Sequence, residues 1–282
     1  MKKNLMKSLC LAFMLNGTAM TAIAQGIVVN KTDGSKVYYK ASEVQSVGVF
    51  DYDEGPDADV HEWVDLGLPS GTLWATCNIG AENPEDFGDY FAWGETIGFN
   101  AGKKTNYTWN TYRYCKGSET TMTKYCTDSS YGTVDGKTEL DPEDDAATVW
   151  WGSKWQMPSA EQMQEIDPSS GYTTKEWAVL NGVVGLKITS KINWNSIFIP
   201  SAGYIDDTGY HDINSSGTNR YSYCWTRSLS TDKSSGAYRG LHAIISISAG
   251  SSGSGIIQAP TGFYGTRLRF HGLSVRPVRV KE

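Results

Sequence analysis

The sequence predicts an α+β protein built on an antiparallel sheet, and three observations lead there. Short strand candidates bounded by turn residues recur along most of the chain, two short capped helices sit together in the middle, and strands do not alternate with helices as a parallel βαβ array requires. The chain has 282 residues, 39% hydrophobic, 12% aromatic and 20% charged. That is enough to bury a sizeable core, and too apolar for a disordered polymer. The acidic balance, 31 Asp and Glu against 25 Lys and Arg, and the lack of a basic stripe argue against nucleic acid as a partner.

Residues 1–24 read as a secretory signal peptide. Lys2, Lys3 and Lys7 precede an apolar stretch from Leu9 to Leu15, and Ala22-Ile23-Ala24 supplies a small-x-small cleavage pattern. Cys10 lies inside the apolar run after Lys7-Ser8-Leu9, without the small residue that a lipoprotein signal needs before its cysteine. The expected form is therefore exported, secreted or at the cell surface, with the periplasm as the other destination. No later apolar run is long enough to span a bilayer.

Residues 25–50 form a small β-unit by pattern. Ile27-Val28-Val29 and Val37-Tyr38-Tyr39 flank the turn dipeptide Asp33-Gly34, and a third apolar strand runs from Val44 to Phe50. Residues 51–61 are an acidic linker with Gly55 and Pro56, which cannot bury itself. Asp51, Asp53, Asp57, Asp59 and Glu62 also match positions 1, 3, 7, 9 and 12 of a calcium loop. Pro56 stands where that loop needs glycine, so the linker reading is preferred.

From Glu62 onward the chain reads as one domain carrying all ten tryptophans. Trp63–Leu66 and Leu73–Asn78 bracket Pro69-Ser70-Gly71 as a hairpin, and Gly94–Leu140 is a long polar excursion without clear periodicity. Asp141 is the expected N-cap of a first helix, with Pro142 at its first position. A second helix starts after Pro158, where Ser159 and Gln162 stand at capping-box spacing, and ends by Pro168. Strands follow at Glu176–Leu180, Val183–Thr189 across the Asn181-Gly182 turn, Ser196–Ile199, Tyr221–Trp225 and Leu241–Ser248, with a last pair around His271-Gly272. Trp155 and Trp225 are expected in the core.

Several blocks now carry a family likeness. Trp63-Val64-Asp65-Leu66-Gly67-Leu68-Pro69-Ser70-Gly71-Thr72-Leu73-Trp74-Ala75-Thr76-Cys77-Asn78 and Gly88-Asp89-Tyr90-Phe91-Ala92-Trp93-Gly94-Glu95 come first. Lys124-Tyr125-Cys126, Asp144-Asp145-Ala146-Ala147, Trp155-Gln156-Met157-Pro158, Asn195–Pro200 with Ala202-Gly203-Tyr204, and Gly272–Val278 follow in order. Over roughly residues 62–280 the chain resembles the Fibrobacter succinogenes major paralogous domain. That resemblance implies a C-type-lectin-like fold, related to the formylglycine-generating enzymes, in secreted or surface proteins of gut Bacteroidota. The chain departs from the family pattern at Gln156, where an arginine is usual, and at Cys224-Trp225-Thr226-Arg227-Ser228, which replaces a Tyr-Trp-Ser-Ser run.

Catalytic patterns are missing. There is no Gly-x-Ser-x-Gly and no His-Glu-x-x-His; His61, His211, His242 and His271 stand singly. The acidic block Glu139, Asp141, Glu143, Asp144 and Asp145 suits a helix start better than a glycosidase pair. Only Cys224 lies in the last third, against the two cysteines of a formylglycine-generating oxidase, and no Glu-Pro-Asn or Gln-Pro-Asp triplet supports lectin-type calcium. No enzyme, metal or cofactor is expected. Four cysteines remain after the leader, Cys77, Cys115, Cys126 and Cys224; Cys115 with Cys126 is the disulfide candidate in an oxidising compartment, and four reduced, buried thiols are the alternative.

What remains is recognition of a glycan or a surface protein. Between Gly203 and Gly265, 30 of 63 residues are Gly, Ser, Asn or Tyr, a composition that combines adaptable hydrogen bonding with rigid aromatic contact. Tyr204, Tyr210, Tyr221, Tyr223, Tyr238 and Tyr264 are the contact candidates, with Arg220 and Arg239 as polar anchors. A structural envelope or matrix component docking through the N-terminal β-unit by strand addition is the competing expectation.

Overall fold

Strands dominate the protein, and helices are few and short. The structure, a computed structural model, describes residues 26–30, 36–40, 61–99, 107–211, 219–230, 242–251 and 264–280. Contacts divide the chain into two units, Met1–Tyr52 and Asp53–Glu282. In the first, β1 (Gly26–Asn30) and β2 (Lys36–Lys40) pair antiparallel, with Val28 opposite Tyr38. The expected strand at residues 44–50, the Asp33-Gly34 turn and the acidic segment with its calcium-like spacing lie outside the described residues.

The second unit begins with β3 (Trp63–Asp65) and β4 (Thr72–Ala75), the expected hairpin, joined antiparallel by β15 (Val278–Val280) from the far end of the chain. A five-stranded sheet runs in the order β13 (Tyr264–Leu268), β12 (His242–Ser251), β11 (Asn219–Leu229), β14 (Leu273–Ser274), β5 (Tyr90–Phe91). All of its neighbours are antiparallel except β11 and β14, so this sheet is mixed. The expected last pair at His271-Gly272 is not a hairpin. β13 pairs with β12, while β14 inserts between β11 and β5, because Leu273 and Ser274 continue into the buried run that ends at β15.

A third sheet is the meander β6 (Thr173–Leu180), β7 (Val183–Ser190), β8 (Ser196–Pro200), and β9 (Tyr204–Asp206) forms a small hairpin with β10 (Gly209–His211). Asn181 takes a positive φ of 48° at the β6–β7 turn, as the Asn-Gly dipeptide allows. The helices are α1 (Ala146–Trp151) and α2 (Ala160–Glu165). Ser159 and Gln162 form the anticipated capping box of α2. Asp141 does not cap α1: it precedes one 3-10 turn at Pro142–Asp144 without a side-chain bond, and Asp145 is the cap, accepting from the amides of Ala147 and Thr148. The proline forces the tight turn first, so the helix starts four residues later than expected.

Two core clusters result. One gathers Trp74, Leu66, Met163, Trp177, Leu186, Ile188 and Val278 beneath the β6–β8 meander. The other holds Trp93, Tyr125, Trp155 and Trp225, and it confirms both expected core tryptophans. Trp93 donates its indole N–H to Thr226 O at 2.8 Å, and Trp225 donates to Phe91 O at 2.7 Å. The two bonds tie β5 to β11 across the intervening β14, so both large rings are buried with their polar ends satisfied.

The aperiodic excursion is pinned by tyrosines. Tyr107, Tyr112 and Tyr114 donate hydroxyls to Tyr90 O, Trp93 O and Gly94 O at 2.7, 2.8 and 2.8 Å. Cys77, Cys115, Cys126 and Cys224 are free thiols. The Cys115–Cys126 disulfide is not formed; the two sulfurs donate to different carbonyls, Trp109 O at 2.9 Å and Asp128 O at 3.2 Å. Among the described residues no helix is long and apolar enough to cross a membrane.

Candidate functional site

The tightest acidic cluster is Asp141, Glu143 and Asp144, whose carboxylates lie within 4.8 Å of one another. A cation already occupies it. Lys124 Nζ is 2.6 Å from Asp141, 3.7 Å from Glu143 and 2.5 Å from Asp144, and Tyr125 donates its hydroxyl to Asp144 at 2.6 Å. Burial alone would raise the Asp144 pKa, but hydrogen bonds from Lys124 and tyrosine hydroxyls outweigh it and hold the carboxyl below its usual range. The cluster is a knot, bridged by Lys124, between the tyrosine-rich loop and the start of α1. It offers no open position to a metal ion.

Gln156 and Arg227 meet. Arg227 donates from Nη1 to Gln156 Oε1 at 2.8 Å and lies 3.0 Å from Glu139 through Nε. An arginine on β11 thus stands against position 156. The pair ties the entry of α2 to β11.

A different arrangement surrounds β9–β10. Tyr204 and His211 are directly opposed in this hairpin, and their rings stack at 4.5 Å with 14° between planes. Asp206 accepts from Thr208 through both the amide, at 2.8 Å, and the hydroxyl, at 2.7 Å, and its Oδ1 lies 2.8 Å from His211 Nε2. Burial raises the Asp206 pKa, yet these bonds outweigh it and leave the carboxyl below its usual range. Gly203 must be glycine: its φ is +68°, and a Cβ there would lie 2.1 Å from His211 O. Reciprocal bonds between Ile205 and Gly272, 2.9 and 2.8 Å, fasten the hairpin to the turn before β14 and bring the His271 ring parallel to Tyr204 at 5.9 Å.

Arg267 of β13 completes the group. Its guanidinium carbon lies 4.3 Å from the Tyr204 ring centroid and 4.9 Å from that of Tyr223, and Nη2 donates to Tyr223 Oη at 2.9 Å. Tyr223 is 4% exposed, so its ring is fixed by the core while Arg267 stays half-buried. The result is a permanent cation held against two tyrosine rings that stand at 85° to each other.

Of the eight residues expected to make contact, three converge here. Tyr204 and Tyr223 are the rails that carry Arg267. Tyr210 packs edge-on to Tyr90 at 5.8 Å and donates to Ala202 O at 3.1 Å, which makes it a structural member of the hairpin. Tyr221 and Arg220 are on β11, opposite Ala249 and Gly250, and Tyr264 is on β13 opposite Ser246; only their backbones are described. Tyr238 and Arg239 lie outside the described residues. Arg267 is not singled out by the sequence, and His211 and His271 are set aside there as single histidines, because lone residues on separate elements carry no spacing signal.

Compared with protein-family models, with curated proteins and with solved structures, the chain matches none.

Proposed function

We propose that this chain is an exported, non-catalytic recognition module of the major paralogous family, C-type-lectin-like in architecture, which binds a glycan or surface-protein ligand through the loops of residues 204–265. One observation carries the reading: the convergence of Tyr204, Tyr223, His211 and Arg267 into a preorganised cluster in which aromatic rings hold a cation. Rigid aromatic anchors beside adaptable polar loops lower the ordering cost of binding. The family reading is supported by the way its residue blocks pair with each other: Phe91 opposes Leu273, Trp74 opposes Val278, and Gln156 bridges Val278. The non-catalytic reading draws on the acidic cluster being filled by Lys124. The leader pattern of residues 1–24 supports export.

A glycan and mucin array probed with the purified protein tests this. Selective binding that falls at least ~10-fold in a Tyr221→Ala, Tyr238→Ala double variant with an unchanged near-UV spectrum is the expected result. Binding to nothing on the array, nor to surface proteins, sinks the recognition reading.

The second reading, a structural envelope component, draws on β1 and β2 forming a two-stranded sheet with no further strand among the described residues. Its unpaired edges suit strand addition. Loss of residues 25–60 should then abolish assembly and leave array binding intact.

A further inference from the structure

We propose that Arg267 is the anchor for an acidic group, a carboxylate or a sulfate ester, on a glycan ligand; this rests on the recognition reading above and specifies its ligand class.

Several cations among the described residues are satisfied by carboxylates or by hydrogen bonds from buried guanidinium nitrogens. Lys124 is shared by Asp141 and Asp144, Lys175 faces Asp167 at 3.5 Å, and Arg227 faces Glu139 at 3.0 Å. Arg276, fully buried, uses all three guanidinium nitrogens, on Asn78 Oδ1 and the carbonyls of Ala75, Thr76 and Phe198 at 2.6–3.0 Å. Arg267 follows neither pattern; Arg269, which also lies near two rings, those of Trp93 and Tyr112, is fully buried, whereas Arg267 is half-buried. Among the described residues it donates a single hydrogen bond, to Tyr223 Oη, and it has no carboxylate within 4.0 Å.

Asp206, in the same cluster, is already engaged by Thr208 and His211. The Tyr204 and Tyr223 rings, 85° apart, lie against the guanidinium carbon from two sides and one N–H goes to Tyr223 Oη, so among the described residues the other donors have no acceptor. A half-buried guanidinium held this way fits a planar two-oxygen acceptor, and carboxylate or sulfate provides that fork geometry. A neutral sugar hydroxyl matches neither the charge nor the fork.

Tyr204 cannot itself be the sugar platform, because His211 stacks on it at 4.5 Å and Arg267 lies over it at 4.3 Å. Its part, like that of Tyr223, is to position the cation. The uncompensated charge also stands out in a chain with six more acidic than basic residues, where most solvent-facing fields would repel an anion.

The test is calorimetric titration of the purified protein with sialyllactose, lactose 3′-sulfate, a glucuronic-acid disaccharide and neutral lactose. Binding of at least one acidic saccharide, no measurable binding of lactose, and at least ~10-fold weakening in Arg267→Gln are expected, with Arg267→Lys failing to restore affinity because it lacks the fork. The three acidic arms distinguish carboxylate from sulfate. Tyr223→Phe keeps the ring and removes only the hydroxyl that orients the guanidinium, so it should weaken binding several-fold in a protein whose near-UV spectrum is unchanged; this arm holds even if Arg267→Gln misfolds. Equal binding of lactose and the acidic saccharides, or full binding by folded Arg267→Gln, overturns the acidic-group assignment and leaves the recognition reading standing. Binding of a poly-glutamate peptide through Arg267 with no saccharide bound overturns the glycan class. Array silence together with titration silence removes the recognition reading as well.

Discussion

At Trp194 the backbone sits at φ +66°, in the left-handed region, and the indole is 77% exposed. The turn that holds it is closely tied down. Asn193 and Asn195 both donate to Asp65 O at 2.8 Å, Ser190 donates to Leu66 O at 2.7 Å, and the Ile192 amide donates back to Ser190 Oγ at 3.0 Å. A bulky L-residue in that region costs about 1–2 kcal/mol, whereas asparagine tolerates it. Because the exposed ring contributes little packing, Trp194→Asn should stabilise the protein by about 0.5–1 kcal/mol in urea denaturation. A loss of stability instead would mean that the indole packs in solution in a way its exposure denies. Arg276 is the opposite case, a buried residue whose three guanidinium nitrogens all donate; burial lowers its pKa to about 10.

At the scale of elements, α1 depends on one carboxylate. Asp145 is 3% exposed and accepts from the amides of Ala147, Thr148 and Met157, so it caps α1 and also fixes the strand-like segment leading to Ser159. Removing it leaves three buried amides without partners. Asp145→Ala should therefore cost about 2–4 kcal/mol, more than the ~1 kcal/mol of an ordinary cap, and Ser159→Ala about 1 kcal/mol. Equal losses for the two variants, measured as urea midpoints at constant slope, would contradict this. The capping box of α2 was readable because its signal is local: a serine, and a glutamine three residues on. The cap of α1 was not, since two further aspartates, Asp141 and Asp144, carry the same local signal and the choice among them was made by Lys124 and Met157 from elsewhere in the chain.

For the whole molecule, the titrating carboxylates oppose one another. Lys124 and Lys137 hold Asp141 low, and hydrogen bonds likewise hold Asp144, Asp167 and Asp206 below their usual range against the effect of burial. A lowered pKa contributes stability above the unfolded value, ~3.9, and that contribution disappears as pH falls through the folded value. Asp145 runs the other way. Burial pushes it up to about 6, so its contribution is present below the unfolded value and is lost as pH rises through 6; Glu95 and Glu139 are raised by burial in the same direction. Stability should thus peak near pH ~5 and fall steeply below ~4. Urea midpoints at pH 7, 5 and 3 check this, with Asp144→Asn flattening the acid limb; a midpoint that rises from pH 5 to 3 would refute it.

By itself, the sequence determined the elements whose cause is local. The α+β class, the hairpin at residues 63–75, the capping box at Ser159, the Asn181-Gly182 turn and the burial of Trp155 and Trp225 all follow from alternation, turn chemistry and apolar area, which act over a few neighbouring residues. Tertiary structure decided the rest. It placed β14 between β11 and β5, wound the aperiodic excursion onto the core through Tyr107, Tyr112 and Tyr114, kept Cys115 and Cys126 apart, and assembled Tyr204, His211, Tyr223 and Arg267 from three separate stretches of chain. The physical reason is range: a side-chain hydrogen bond or a cation over a ring depends on which elements meet, and composition along the chain carries no record of that meeting until the core has brought them together.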